Sequence, residues 1–236
     1  MKKQGKLYLI PTPIVDCDNP FLYMPLYNKE IITSIDFFVV EELRTARRFI
    51  SKCKTGKTID SLNFSELNEH TSETEIDKLV QPLKDGFDVG VMSEAGVPGV
   101  ADPGAMIVAK AHKIGVDVIP LVGPSSILMS LMSSGMNGQS FTFNGYLPIK
   151  SAEKSKKLKE LERKANQGHT QIFIEAPYRN DNLFNDMLNM LSPHTRLCVA
   201  SNISAENQFI KTLNISEWKK NPKPNLKKIP TIFLIG

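Results

Sequence analysis

The chain has 236 residues, 41% of them hydrophobic and 23% charged, with a formal net charge of +4. That composition is ordinary for a soluble globular protein, and the length allows one large domain or two small ones around a substantial core. No apolar run approaches the roughly 18–20 residues that span a bilayer, and Cys17, Cys53 and Cys198 are too few and too scattered for a disulfide framework or a zinc cluster. A reducing cytoplasm is the expected compartment. The N-terminal stretch, residues 1–6, is basic but runs directly into a strand-like segment, which predicts no secretory signal.

In chain order, Lys6–Ile10 reads as a short buried strand stopped by Pro11-Thr12-Pro13. Asp16–Asn28 is irregular and aromatic, a loop lying over something and a candidate lid. Phe37–Val40 reads as a strand and Glu41–Lys52 as a charged helix. Glu73–Lys84 has helical spacing, with Ile76, Leu79, Val80 and Leu83 on one face. Phe87–Met92 is a strand, Ala105–Ile114 a helix and Val116–Pro120 another strand. The turn Val122–Ser126 then leads into a short apolar helix, Ile127–Ser134. Alternating strands and helices imply parallel crossovers and an open α/β sheet. Beyond Gly135 the texture changes. Strands at Ser140–Gly145, Gln171–Glu175, Arg196–Ala200, Gln208–Thr212 and Thr231–Ile235 enclose a lysine-rich helix and a helix at Asn182–Leu191. This predicts a second α/β unit with a mixed sheet.

Ser93–Gly104 carries three glycines and two prolines, so it continues neither the strand before it nor the helix after it. Glu94 and Asp102 sit inside it. A loop at the carboxyl end of a strand is where α/β proteins bind ligands, although the same composition also suits a stiff turn that binds nothing. Two basic clusters stand out: seven Lys/Arg against three Glu over Lys150–Lys164, and six Lys against one Glu over Lys211–Lys228. They read as polyanion-binding surfaces or as solvated helix faces. There is no G-x-G-x-x-G after the first strand, no P-loop and no G-x-S-x-G elbow. His70, His112, His169 and His194 lack metal-ligand spacing, and no metal is expected.

Leu7–Ile14, Glu41–Arg44, Ser93–Gly104, Gly123–Ser125, Phe141–Pro148 and Glu175–Arg179 are six motifs that, in this order, resemble those of the tetrapyrrole-methylase superfamily, most closely its branch of small-subunit ribosomal RNA cytidine 2′-O-methyltransferases. Leu7–Ile14 (L-Y-L-I-P-T-P-I) resembles the opening strand and turn, and Glu41–Arg44 (E-E-L-R) resembles E-D-T-R. Ser93–Gly104 is similar to S-D-A-G-T-P-G-I-S-D-P-G, and Gly123-Pro124-Ser125 to the G-P-S-A turn. Phe141–Pro148 resembles F-x-F-x-G-F-L-P, and Glu175–Arg179 resembles E-S-P-H-R.

The resemblance implies two α/β domains, an N-terminal one over 1–138 with a mostly parallel open sheet and a C-terminal one over 139–236 with a mixed sheet. S-adenosylmethionine would lie in a cleft between them. It implies a homodimer, no membrane and RNA or a ribosomal particle as partner. Carried over by position, Ile14, Glu94, Ala95, Gly96 and Val97 would line the cofactor. Ser125, Ser126 and Ile127 would meet its methionine or ribose portion, and Ile174, Glu175, Ala176, Pro177, Ala200, Pro230 and Thr231 would contribute from the second domain. A ribose hydroxyl must lose its proton near the transition state, so Glu41 and Glu42 are candidate bases. Arg44 joins them as a candidate catalytic residue, and Arg44 and Arg179 would hold substrate phosphates. Glu41–Arg44 also reads as an ordinary first helical turn.

The departures fall on the acceptor side. Val15-Asp16 replaces Gly-Asn, Leu43 replaces a threonine, and Tyr178 a histidine. Val199–Ser204 (V-A-S-N-I-S) stands where the RNA branch has A-R-E-L-T-K. The expected activity is methyl transfer to a ribose 2′-hydroxyl of small-subunit ribosomal RNA. A tetrapyrrole or protein acceptor, and a non-catalytic cofactor- or RNA-binding role, are the alternatives.

Overall fold

A computed structural model describes residues 3–236; Met1 and Lys2 of the basic N-terminal stretch lie outside it. Two compact units divide between Ser125 and Ser126. The first contains β1 (Leu7–Ile10), α1 (Leu26–Ser34), β2 (Phe37–Val40), α2 (Leu43–Lys52), β3 (Asn63–Glu66), α3 (Glu73–Leu79), α4 (Gln81–Asp85), β4 (Val89–Met92), α5 (Gly104–Lys113) and β5 (Val118–Pro120). Its five strands are all parallel, in the order β3-β2-β4-β1-β5.

Side-chain alternation sorts this sheet's two faces. Tyr8, Ile10, Phe38, Val40 and Met92 point to the face covered by α1 and α2, where Ile32, Ala46, Phe49 and Ile50 meet them. Leu7, Val39, Val89 and Val91 point to the other face, against Ile76, Leu83, Ile107 and Ala111. The connection from β1 crosses to β2 on the first face, while that from β4 crosses to β5 on the second. The chain therefore parts above the carboxyl ends of β1 and β4, the position where an open α/β sheet offers a crevice.

Three local readings change. The helix expected over Glu73–Lys84 is two: Pro82 has no N–H to continue the ladder, so α3 closes at Val80 and α4 restarts. Asp16–Asn28 is not wholly irregular, because α1 begins at Leu26 and Pro20–Leu22 forms a single 3-10 turn. β3 escapes the sequence pattern. It is a polar edge strand whose one inward anchor, Phe64, stacks on Phe38 at 5.5 Å.

The second unit contains α6 (Ser126–Ser134), β6 (Phe141–Tyr146), α7 (Ser151–Ala165), β7 (Thr170–Ile174), α8 (Asn180–Met190), β8 (Arg196–Ser201), β9 (Phe209–Asn214), α9 (Ile215–Trp218) and β10 (Thr231–Ile235). The strand order is β6-β7-β10-β8-β9, with β6 and β7 parallel and the other pairs antiparallel, a mixed sheet. Helices α7, α8 and α9 cover one face through Leu158, Leu161, Phe184, Met187 and Trp218. On the other face Leu131 of α6 packs with Ile172, Cys198, Ile232 and Leu234. By packing, α6 thus accompanies the second sheet, whereas the division at 138/139 read from the motifs counts it with the first domain. No helix of the described residues is long and apolar enough to cross a membrane.

Candidate functional site

The turns after β1 and β4 are locked together. Thr12 and Gly96 form a two-way backbone bridge, with N–H to O distances of 2.8 and 3.1 Å, and the Thr12 hydroxyl donates to the Ser93 carbonyl at 3.2 Å. Gly96 has φ +84, and a Cβ there would lie 3.5 Å from both Ile14 Cγ2 and the Pro124 carbonyl. Three motif turns therefore meet around one left-handed residue. At Gly123 a Cβ would fall 2.2 Å from Pro11 Cγ, so that glycine is required by packing alone.

Beside this knot lies a cavity of about 310 Å³, at the small end of the range for small-molecule sites. Ile14, Glu41, Glu42, Thr45, Glu94 and Ala95 are among the residues that line it. The first unit thus brings together three expected cofactor residues and two expected bases. Arg44 is exposed on the same helical turn but is not part of the lining.

The two glutamates do different things. Glu42 is the N-cap of α2: its carboxylate accepts from the Arg44 amide at 2.9 Å, the Thr45 amide at 2.6 Å and the Thr45 hydroxyl at 2.7 Å. Those hydrogen bonds hold its pKa below the ordinary glutamate value. Glu41 titrates in the opposite direction. Desolvation raises its pKa first, and the carboxylates of Glu94 and Asp102 raise it further, against one hydrogen bond from the Glu94 amide. Of the two carboxylates, the one with the raised pKa is the stronger base.

Asp102, flagged in the sequence but given no site role, holds the rest of the loop. Its Oδ1 accepts from the amides of Gly99 at 2.7 Å and Gly104 at 2.8 Å, while Oδ2 is buried with no hydrogen-bond partner. Burial raises its pKa in spite of the two amides. Thr45, Arg48 and Lys52 also line the cavity, outside all six motifs. The Glu42-x-x-Thr45 spacing was the available signal for Thr45. Arg48 and Lys52 are each bound to Asp16 at 2.6 Å, which fastens the start of the Asp16–Asn28 segment to α2. Asn28 anchors its other end by donating to the Val122 carbonyl at 2.8 Å.

In the second unit, Ile174, Ala200 and Thr231 lie together across β7, β8 and β10, and Pro230 accepts from the Asn202 amide at 3.0 Å. Ile174 and Ile127 both pack on the core beneath α6, so their side chains have structural work. Glu175 is buried. It accepts from the Ala176 amide at 2.8 Å and pairs with Arg179, the expected phosphate ligand, at 2.5 Å. Among the described residues no group of three His, Cys, Asp or Glu side chains is placed to hold a metal ion.

A doubly covered parallel sheet, a mixed sheet, and a glycine–proline loop knot at the first sheet's carboxyl edge define a protein of the two-unit α/β class with a loop-built pocket on its first unit. The chain belongs to the tetrapyrrole (corrin/porphyrin) methylases, whose sequence profile matches residues 6–219; members of this family draw their methyl group from S-adenosylmethionine. It is 30% identical over 215 residues to a ribosomal RNA small subunit methyltransferase I from Vibrio cholerae serotype O1, covering 89% of this chain and 69% of that one. It is 34% identical over 175 residues to the protein of the same name from Bacillus subtilis (strain 168), covering 74% and 56%. The chain thus spans only between about half and seven-tenths of these relatives' length. Among solved structures, the methyltransferase CobJ has a TM-score of 0.64 at 15% identity, covering 98% of this chain and 94% of that one. A uroporphyrin-III-C-methyltransferase from Thermus thermophilus has a TM-score of 0.55 at 14% identity, covering 98% and 92%. These two structures share the fold.

Proposed function

We propose that this chain is an S-adenosylmethionine-dependent methyltransferase that modifies a ribose 2′-hydroxyl of small-subunit ribosomal RNA. The observation that carries the reading is the pairing of 30–34% identity to ribosomal RNA methyltransferases with a carboxylate, Glu41, that lines the cavity beside the expected cofactor loop and, though partly exposed, has its pKa raised. The cavity suits the cofactor's chemistry. Ile14 and Ala95 offer apolar contact for an adenine, and Glu94 offers an acceptor for ribose or a partner for the sulfonium charge. Gly96 and Val97 complete that loop, and Ser125, Ser126 and Ile127 are assigned to the cofactor with it. We assign Ile174, Glu175, Ala176, Pro177, Ala200, Pro230 and Thr231 to cofactor contact in the second unit.

The bound cofactor supplies an activated methyl group, so the chain's own tasks are positioning and deprotonation. Glu41 takes the ribose proton, and Glu94 and Asp102 keep it basic by charge repulsion. Arg44, exposed beside it, meets a flanking phosphate. The basic surface of α7 supports an RNA partner. Glu153, Glu160 and Glu162 are all engaged, by Lys150, by Lys157 and Lys164, and by the Ser192 amide, whereas Lys156, Lys159 and Arg163 project along one exposed stripe. We further propose a cytoplasmic homodimer, for which sedimentation at twice the mass of one chain is the check.

The test is methyl transfer from labelled S-adenosylmethionine to immature small ribosomal subunits, with calorimetric titration of S-adenosylhomocysteine run in parallel. Label in the RNA's ribose supports the reading. Homocysteine-compound binding with label only in a tetrapyrrole or protein acceptor would replace the substrate, and absence of binding would remove the cofactor.

A further inference from the structure

We infer that Tyr146, Tyr178 and the guanidinium of Arg179 form a stacking platform for an unpaired nucleobase of the RNA. The inference rests on the RNA reading above and names a contact within it. Tyr146 and Arg179 line a shallow concavity of about 590 Å³ in the second unit together with Leu147, Pro148, Ile149 and Ala176, and Tyr178 adjoins it through the Arg179 guanidinium.

Three observations point there. First, Tyr146 and Ile149, which line this concavity, are 65% and 69% exposed, and Tyr178, against the Arg179 guanidinium, is 68% exposed. Apolar side chains of that size, gathered and left in water, mark a binding surface. Second, the backbone aims them. Gly145 has φ +62, and the β6–β7 register shifts between Phe143 and Tyr146, so an irregularity re-aims Tyr146 where the ladder resumes at its pairing with Ile174. Tyr178 sits in the single 3-10 turn Pro177–Arg179 that follows β7.

Third, Arg179 is built as a plane and poorly placed as a phosphate grip. Its guanidinium lies 5.3 Å from the Tyr178 ring centroid and bonds to buried Glu175 at 2.5 Å. Glu175 in turn accepts from the Ala176 amide. The ion pair offsets the positive charge that a phosphate would need, yet leaves a rigid π surface layered on a tyrosine. Tyrosine rings and guanidinium planes are the surfaces on which unstacked RNA bases settle, and their attraction depends little on the base. Tyr178 is also a departure from the family's motif, in which a histidine stands.

The experiment titrates a fluorescein-labelled single-stranded RNA of about twelve nucleotides, within the site size of such proteins, against the full chain at several salt concentrations. Tyr146→Ala and Tyr178→Ala should each weaken binding by roughly 5- to 100-fold, the span of one base–aromatic stack. The slope of log Kd against log salt should stay unchanged, because no phosphate contact is lost. Tyr178→Phe should bind like the parent. The sole tryptophan, Trp218, is buried in the same unit, and unchanged emission certifies that the variants fold. If the parent binds RNA and both alanine variants bind equally well, the platform is wrong and the RNA reading stands. A flattened salt slope would overturn the stacking assignment in favour of phosphate contact. Loss of self-association with RNA binding intact would make the patch a protein interface. A parent that binds no RNA at any salt would remove the platform together with the reading beneath it.

Discussion

Glu41 and Glu42 are neighbours with opposite electrostatics, and the difference separates a working carboxylate from a structural one. Glu42 spends its oxygens on the first turn of α2, which lowers its pKa. Glu41 stands at the cavity among other carboxylates and titrates high, first from desolvation and then from Glu94 and Asp102. A base must be ionised to act, so turnover should rise with pH through Glu41's raised pKa and level above it. Glu41→Gln should remove that limb and lower kcat by about 10²- to 10⁴-fold, the range for a positioned general base. Binding of S-adenosylhomocysteine should persist. Glu42→Gln should leave the pH limb in place, and a pH–rate profile that moves with Glu42 instead would reverse the assignment. Stability follows the same signs. The raised pKa of Glu41 means that the fold prefers its protonated form, so its contribution declines as pH rises from the ordinary value of 4.5 through the native one. The lowered pKa of Glu42 gives stability that is present above 4.5 and lost as pH falls through its native value. Both glutamates were legible as candidates from the motif. Their ranking was not, because the signal lies in which amides each one meets.

At the scale of elements, strands with continuous apolar runs were legible almost to the residue, as at Phe37–Val40 and Thr231–Ile235, because burial on both faces leaves an unbroken pattern. β3 was not, since an edge strand with one inward anchor carries no such run. α1 hid behind its exposed Leu26 and Tyr27, with Asn28 and Ile32 as its buried positions. The lysine-rich helix was legible as a helix, but its charge could be judged only once partners were visible. Lys154 is tied to Asp186 at 2.5 Å and Lys157 and Lys164 to Glu160, which leaves the stripe of Lys156, Lys159 and Arg163. These positions are spaced i, i+3 and i+7, and they span roughly 10 Å of helix. Replacing all three with Gln should weaken RNA binding chiefly at low salt. The slope of log K against log salt should fall by roughly 2–3, given a slope of about 0.7–0.9 per phosphate contact. An unchanged slope would make α7 a solvated face and move the RNA elsewhere. This signature is the opposite of the one expected at Tyr178, so the two surfaces can be told apart on the same instrument.

For the whole molecule, two compact units, each with its own pair of core clusters, mean that unfolding need not be one event. The only tryptophan lies in the second unit, edge-on to Phe184 at 5.3 Å, so its fluorescence reports that unit's melting while far-ultraviolet dichroism reports both. A ligand that binds only the folded state stabilises whatever must be folded to hold it. At a free concentration one hundred times Kd this is about 2.7 kcal/mol, or roughly 5–10 °C for a chain of this size. S-adenosylhomocysteine should therefore raise the dichroism midpoint through the first unit's Ile14, Glu94 and Ala95. If the residues assigned in the second unit also hold the cofactor, the tryptophan midpoint rises with it. A shift in dichroism with a fixed tryptophan transition would confine the contacts to the first unit and strike Ile174–Pro177, Ala200, Pro230 and Thr231 from the assignment. No shift in either signal, from folded protein at saturating ligand, would leave the glycine–proline knot explained by Pro11, Ile14 and Pro124 packing alone. The family's loops would then be scaffold in this chain.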